Sequence, residues 1–236
     1  MPFHLLSDDV TKSEFAAFTP DNFETLSSPP LLVFLHGSGE RGWDPGVPLT
    51  GIAHIFENLQ LPAAVIFPQC DWDHRAFYGE MEERAMNSIE KAALEFGTDA
   101  NRIFLAGYSM GGSSSLWLSA KYPQKFVGII CIAPGITWMG EEAPPKLPNE
   151  DEELFNSMFV AENRTENIAK HISNTPIWFL QGTADEPCPI EETRSLVSEL
   201  RKIGVDPIVT EYDGVDHDSL GLALEQEGLF DWLFAL

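Results

Sequence analysis

The chain has 236 residues, 44% of them hydrophobic, with 14 basic against 37 acidic side chains and a formal charge of −23. That length suits one α/β domain over residues 1–236, able to bury roughly 70% of the surface its unfolded chain exposes. The acidity argues against nucleic acid and anionic membrane surfaces as partners and favours a neutral or cationic ligand.

Cys70, Cys131 and Cys188 cannot all pair within one chain, and no C-x-x-C spacing suggests zinc or redox work. The first residues, MPFHLLSDDVTK, lack a basic n-region and a sustained apolar stretch, so no secretory signal is expected. No apolar run nears the ~20 residues of a membrane span. A cytoplasmic protein without membrane insertion is the expectation, its oligomeric state open.

Along the chain, Phe3 to Phe18 is a candidate for antiparallel edge strands. The run Leu31 to His36 (LLVFLH) reads as the first buried strand. His36-Gly37-Ser38-Gly39-Glu40-Arg41-Gly42 follows it directly. Backbone amides there can stabilise an oxyanion, with Ser38 the expected donor. His36 is expected to hold that loop by hydrogen bonds rather than react, and Arg41 to pair with a nearby Asp or Glu or else to reach a substrate carboxylate or carbonyl.

Ala63 to Pro68 is the next strand. Trp72, His74 and Phe77 lie in the loop beyond, where with Trp138 and Met139 they can line an apolar pocket or only pack the loops. Met86, Ile89, Ala93 and Phe96 recur at helical spacing within Met81 to Phe96, and Gly97 supplies a C-cap.

Arg102 to Ala106 is a strand that runs into Gly107-Tyr108-Ser109-Met110-Gly111. A G-x-S-x-G match alone is modest, but a strand before it and a helix after it (Met110 to Lys121) form the setting of a nucleophile elbow. Glycine at 107 and 111 removes side chains that would strike neighbouring backbone. Ser109 then stands at the carboxyl end of the sheet, with the Met110 N–H as a second oxyanion donor.

Val127 to Ala133 follows, with Cys131 as a small core residue. From Gly135 to Asn174 about 40 residues separate two strands, too many for a plain crossover. The stretch holds Pro144-Pro145, the acidic run Glu150 to Glu153 and the apolar pairs Leu154-Phe155 and Met158-Phe159. It is an insertion at one end of the sheet, serving as a lid or pocket wall, or else as a surface excursion with its own small helix.

Ile177 to Gln181 is a strand followed by Gly182-Thr183-Ala184-Asp185. Glu191 to Ile203 is a helix stopped by Gly204, Pro207 to Tyr212 the last strand, and Leu222 to Leu236 a closing helix. Most of the strands are continuously apolar, as in a parallel sheet covered on both faces, and strand alternates with helix.

A serine needs a base. His217, in the polar loop Gly214-Val215-Asp216-His217-Asp218 after the last strand, is the best placed of six histidines, its acidic neighbours facing solvent. The imidazole needs an acceptor for its other nitrogen. Asp185 is the candidate, Glu186 its nearest rival. Asp213 and Asp216 stand too close to His217 in sequence. Nucleophile, acid and base each follow a separate strand, so all three can meet at one sheet edge.

These segments, from residue 31 to 219, resemble the α/β-hydrolase superfamily. The similarity is to its serine esterase and peptidase-like group, which spans feruloyl and acetyl xylan esterases, polyhydroxybutyrate depolymerases, phospholipase/carboxylesterases and the catalytic domain of prolyl oligopeptidases. Pro68-Gln69-Cys70 and Gly112 add to the likeness. The resemblance implies a mostly parallel sheet flanked by helices, with a lid-like insertion around 135–174. It implies Ser109, Asp185 and His217 as the triad. The chain departs from this group in the long acidic segment after Ala133-Pro134, which leaves the substrate open.

The expected activity is hydrolysis of carboxylic esters of small neutral substrates through an acyl-enzyme, with Ser38 and Met110 as oxyanion donors and no metal or cofactor. Peptidase, amidase and thioesterase activities are the alternatives within the fold, the first disfavoured for want of a propeller-type filter. A non-catalytic binding module is the alternative outside enzymes.

Overall fold

The structure is a computed structural model that describes residues 3–138, 145 and 147–236. The expectation for Met139 therefore lies outside the described residues.

Among the described residues eight strands form one sheet: β1 (Phe3–Ser7), β2 (Glu14–Phe18), β3 (Leu31–Leu35), β4 (Ala64–Phe67), β5 (Ile103–Tyr108), β6 (Ile129–Ile132), β7 (Ile177–Gly182) and β8 (Ile208–Tyr212). Their order is β1-β2-β4-β3-β5-β6-β7-β8. β1 and β2 pair antiparallel, β2 lies antiparallel to β4, and the other pairings are parallel. The edge hairpin is closed by the buried Asp8, whose carboxylate accepts the N–H groups of Val10 and Thr11 at 2.8 and 2.6 Å.

Continuous apolar strands follow from two covered faces. Leu31, Val33 and Leu35 point into one core and Leu32 and Phe34 into the other. The first core takes α2 (Glu80–Phe96), α3 (Met110–Lys121), α5 (Arg164–Ile172) and α6 (Ile190–Lys202). The second takes α1 (Ala53–Leu59), α7 (Leu220–Leu224) and α8 (Leu229–Ala235). This is the α/β-hydrolase fold, with an inserted helical segment between β6 and β7.

The insertion carries α4 (Asn149–Phe155), a π-helical turn over Asn156–Val160, and α5. Phe155, Met158 and Phe159 are buried among Tyr78, Trp117 and Trp138. Each such side chain contributes about 2 kcal/mol on burial. Peeling the three away would cost roughly 6 kcal/mol, so this part of the lid-like insertion is anchored on the first core.

One expected element is corrected. The helix expected over Leu222 to Leu236 is two helices, because Gly228 adopts a left-handed φ of 76° between them. α1 was not foreseen in the sequence.

Candidate active site

β3 sends the chain to β4 on one side, while its other neighbour is β5. The sheet's connection direction reverses there, and the carboxyl ends of β3 and β5 open a crevice. The His36–Gly42 loop leaves β3 at that point, and Ser109 leaves β5.

Ser109 has φ 53° and ψ −114°, a conformation that non-glycine residues rarely adopt. Its N–H donates to the Ile132 carbonyl at 2.9 Å. The two glycines act as expected. A Cβ on Gly107 would stand 2.2 Å from the Gly111 carbonyl oxygen, and one on Gly111 would stand 1.9 Å from that of Leu35. α3 then runs down into the core, buried from Gly111 to Ser119. Two of its serines satisfy their hydroxyls on backbone carbonyls one turn back, Ser114 on Met110 at 2.8 Å and Ser115 on Gly111 at 2.9 Å.

The structure brings Ser109, His217 and Asp185 together. His217 Nε2 lies 2.9 Å from Ser109 Oγ, and Nδ1 lies 2.9 and 3.0 Å from the two Asp185 oxygens. The Asp185 side chain is fully buried and that of His217 is 24% exposed, so the acid is shielded while the base meets the crevice. The Ala184 N–H donates to the Val215 carbonyl at 2.9 Å, joining the acid loop to the histidine loop. Glu186, Asp213 and Asp216 are exposed and take no part, and Asp218 also faces solvent.

Ser38 opens a short 3₁₀ turn and Met110 opens α3. First-turn N–H groups have no carbonyl one turn back to receive them, so both are suited to an incoming oxygen. His36 braces this loop. Its Nδ1–H donates to the Gly37 carbonyl at 2.7 Å, and its Nε2 accepts from the Cys70 N–H at 3.0 Å. Burial holds the imidazole neutral and lowers its pKa to about 4.

Arg41 departs from the expected carboxylate pairing. Its guanidinium donates to the carbonyls of Ser38 (3.1 Å) and His74 (2.9 Å) and lies 5.2 Å from the centre of the Trp72 ring. The β3 loop's own carbonyls are within its reach, so it staples two loops instead. Trp72 is exposed. Phe77 is core, edge-on to His36, and Trp138 packs on Phe155, so neither is a free pocket side chain.

Some of the site was missed from sequence. Tyr108, the residue before the serine in the elbow, donates its hydroxyl to the His217 carbonyl at 2.9 Å and stacks on the imidazole at 5.3 Å. Burial and the carboxylates of Asp218 and Glu40 push its phenol pKa up. Cys188 is buried beside the trio, and its N–H donates to Asp185 Oδ1 at 2.8 Å. Burial and Asp185 push its thiol up to about 12, so it is protonated at neutral pH.

Asp185, Cys188 and His217 offer potential metal ligands within 4.8 Å of one another, but both His217 nitrogens already face Asp185 and Ser109. No helix among the described residues is long and apolar enough to cross a membrane.

A family model described as the prolyl oligopeptidase family matches residues 74–233, a span that holds Ser109, Asp185 and His217. No curated protein matches the sequence significantly. Among solved structures, a thermostable esterase is 25% identical, with a TM-score of 0.73. The match covers 99% of this chain, which spans only 62% of that esterase's length. A ferulic acid esterase superposes with a TM-score of 0.70 at 15% identity, covering 99% of this chain and 96% of its own. The S-formylglutathione hydrolase of Staphylococcus aureus gives 0.70 at 15%, covering 98% and 97%. At 15% identity the last two speak to the fold alone.

Proposed function

The chain belongs to the prolyl oligopeptidase family, and we propose that it is a serine hydrolase that cleaves carboxylic esters of small neutral substrates. The observation that carries the reading is the continuous hydrogen-bonded line from Ser109 Oγ through His217 to the buried Asp185.

In this reading His217 Nε2 takes the hydroxyl proton as Ser109 Oγ attacks the acyl carbonyl. The N–H groups of Ser38 and Met110 receive the oxyanion. Asp185 fixes the imidazole tautomer and stabilises the imidazolium. The imidazolium then protonates the departing alcohol. A water, deprotonated by the same nitrogen, cleaves the acyl-enzyme and restores Ser109. Cys188 is not the nucleophile, because its thiol stays protonated and both imidazole nitrogens are engaged elsewhere.

Support for an ester comes from the 25% identical thermostable esterase. The family match favours amide cleavage as the second reading. Hydrolysis of p-nitrophenyl esters from acetate to palmitate, and of aminoacyl p-nitroanilides, separates the two. The expected outcome is turnover of short esters that falls by several orders of magnitude in Ser109→Ala. Faster turnover of the anilides would move the assignment to amides. Equal activity in the variant would remove Ser109 from the chemistry.

A further inference from the structure

The first turn of α6 carries two adjacent side chains that reach different partners. Glu192 accepts the Thr137 N–H at 3.0 Å, the Thr137 hydroxyl, and Arg164 at 2.8 Å. Thr137 lies just beyond β6 and Arg164 opens α5, so Glu192 ties together two separate parts of the inserted segment. Thr193 is fully buried and donates its hydroxyl to Gln181 Oε1 at 2.6 Å.

Gln181 is 1% exposed, near the end of β7. Its Nε2 donates to Asp185 Oδ2 at 3.2 Å and to the Cys188 carbonyl. With acceptors at one end and a hydroxyl donor at the other, the amide has one workable orientation; flipping it would set oxygen against oxygen. Asp185 is therefore held on both oxygens, Oδ2 by Gln181 and Oδ1 by the Cys188 N–H at 2.8 Å, while it faces His217. A buried polar network satisfied in this way specifies a single geometry.

We propose that Gln181, oriented by Thr193, is the positioning residue of Asp185, and that the first turn of α6 thereby joins the inserted segment to the acid that orients His217. The inference rests on the roles assigned above to Asp185 and His217. A carboxylate with two fixed donors cannot rotate away from the imidazole, so the base keeps its tautomer through the reaction. A methionine at 181 would fill the same space, but it would strip Asp185 of one donor and orphan the Cys188 carbonyl.

The test uses Gln181→Met, Thr193→Val and Thr193→Ser with two readouts. One is kcat against KM on p-nitrophenyl acetate. The other is the low-field proton resonance of the His217 Nδ1–H, which needs no turnover. In Gln181→Met, kcat should fall roughly ten- to hundredfold with KM unchanged, the scale of a displaced reacting group. The resonance should broaden or move upfield. Thr193→Val should show a smaller loss, and Thr193→Ser, which keeps the hydroxyl, should restore both readouts.

Wild-type kcat and an unmoved resonance in Gln181→Met would overturn the proposal. If that variant does not fold, equal behaviour of Thr193→Val and the wild type overturns it instead. Labelling of Ser109 in the wild type by a fluorophosphonate tests the underlying reading separately. Without labelling that reading falls, and the resonance still decides the role of Gln181.

Discussion

His36 shows how one buried residue links the site to stability. Its neutral ring is needed on both sides, donating to Gly37 and accepting from Cys70, and burial lowers its pKa from 6.5 to about 4. Above pH 6.5 the ring is neutral in folded and unfolded chains alike. As pH falls from 6.5 towards 4, the unfolded chain takes up the proton first, and the folded state loses about 3 kcal/mol over that window. The melting temperature should fall over the same range, less steeply in His36→Gln. An equal slope in both proteins would assign the loss to other groups. The bracing role of His36 was legible from its place before a glycine-rich loop. Arg41's carbonyl partners were not, because sequence gives charge but not which loop lies opposite.

At the scale of elements, what sequence revealed and what it hid have separate physical causes. β3, β5 and α3 were legible because apolar continuity and the elbow glycines act within a few residues of each other. α1 and the split between α7 and α8 were not, since short helices are set by tertiary packing and, at Gly228, by one left-handed residue. The Gln181–Thr193 bond joins residues 12 apart, on β7 and α6, through buried polar atoms, and no periodicity marks it.

The contact between α2 and α3 was equally hidden. Glu82, buried on α2, accepts from Trp117 Nε1 at 2.7 Å, the Tyr122 hydroxyl at 2.6 Å and Lys121 at 2.7 Å. Lys121 reaches on to Asp151 of α4 at 2.7 Å, so the carboxylate holds three helices together. Removing one member of a buried charged cluster leaves the others unpaired, at a cost of about 3 kcal/mol. Glu82→Ala should lose that much in urea unfolding, and Glu82→Gln less. A loss under 1 kcal/mol in Glu82→Ala would mean that water replaces the carboxylate.

For the whole molecule, the dominant fact is the charge of −23. It reaches the crevice through Glu40 and Asp218, whose carboxylates act on Tyr108 beside His217. An anionic ester approaches against this field, and a neutral one does not feel it. Salt shortens the range of the field to about 10 Å at 0.1 M. We therefore expect kcat/KM for a p-nitrophenyl hemisuccinate to rise several-fold with added salt while that for the acetate stays flat. Parallel salt curves for the two esters would show that Arg41 and its neighbours offset the carboxylates locally. The acidic composition was plain from the sequence, but its effect on one crevice depended on which carboxylates the fold brought near Tyr108.

The backbone of Ser109 also has a thermodynamic consequence. A side chain held at φ 53° and ψ −114° keeps the fold above its relaxed energy, typically by 1–3 kcal/mol. Ser109→Ala and Ser109→Gly both lose the hydroxyl, but only glycine releases the conformation. The glycine variant should therefore melt higher than the alanine one, with an advantage of about 1 kcal/mol after the greater freedom of glycine in the unfolded chain. Equal melting points would show that the turn is relaxed. With Ser109 as the proposed nucleophile, this position is a standing tax on durability: selection for a robust but idle protein would act against it, and selection for turnover preserves a residue the fold would be more stable without.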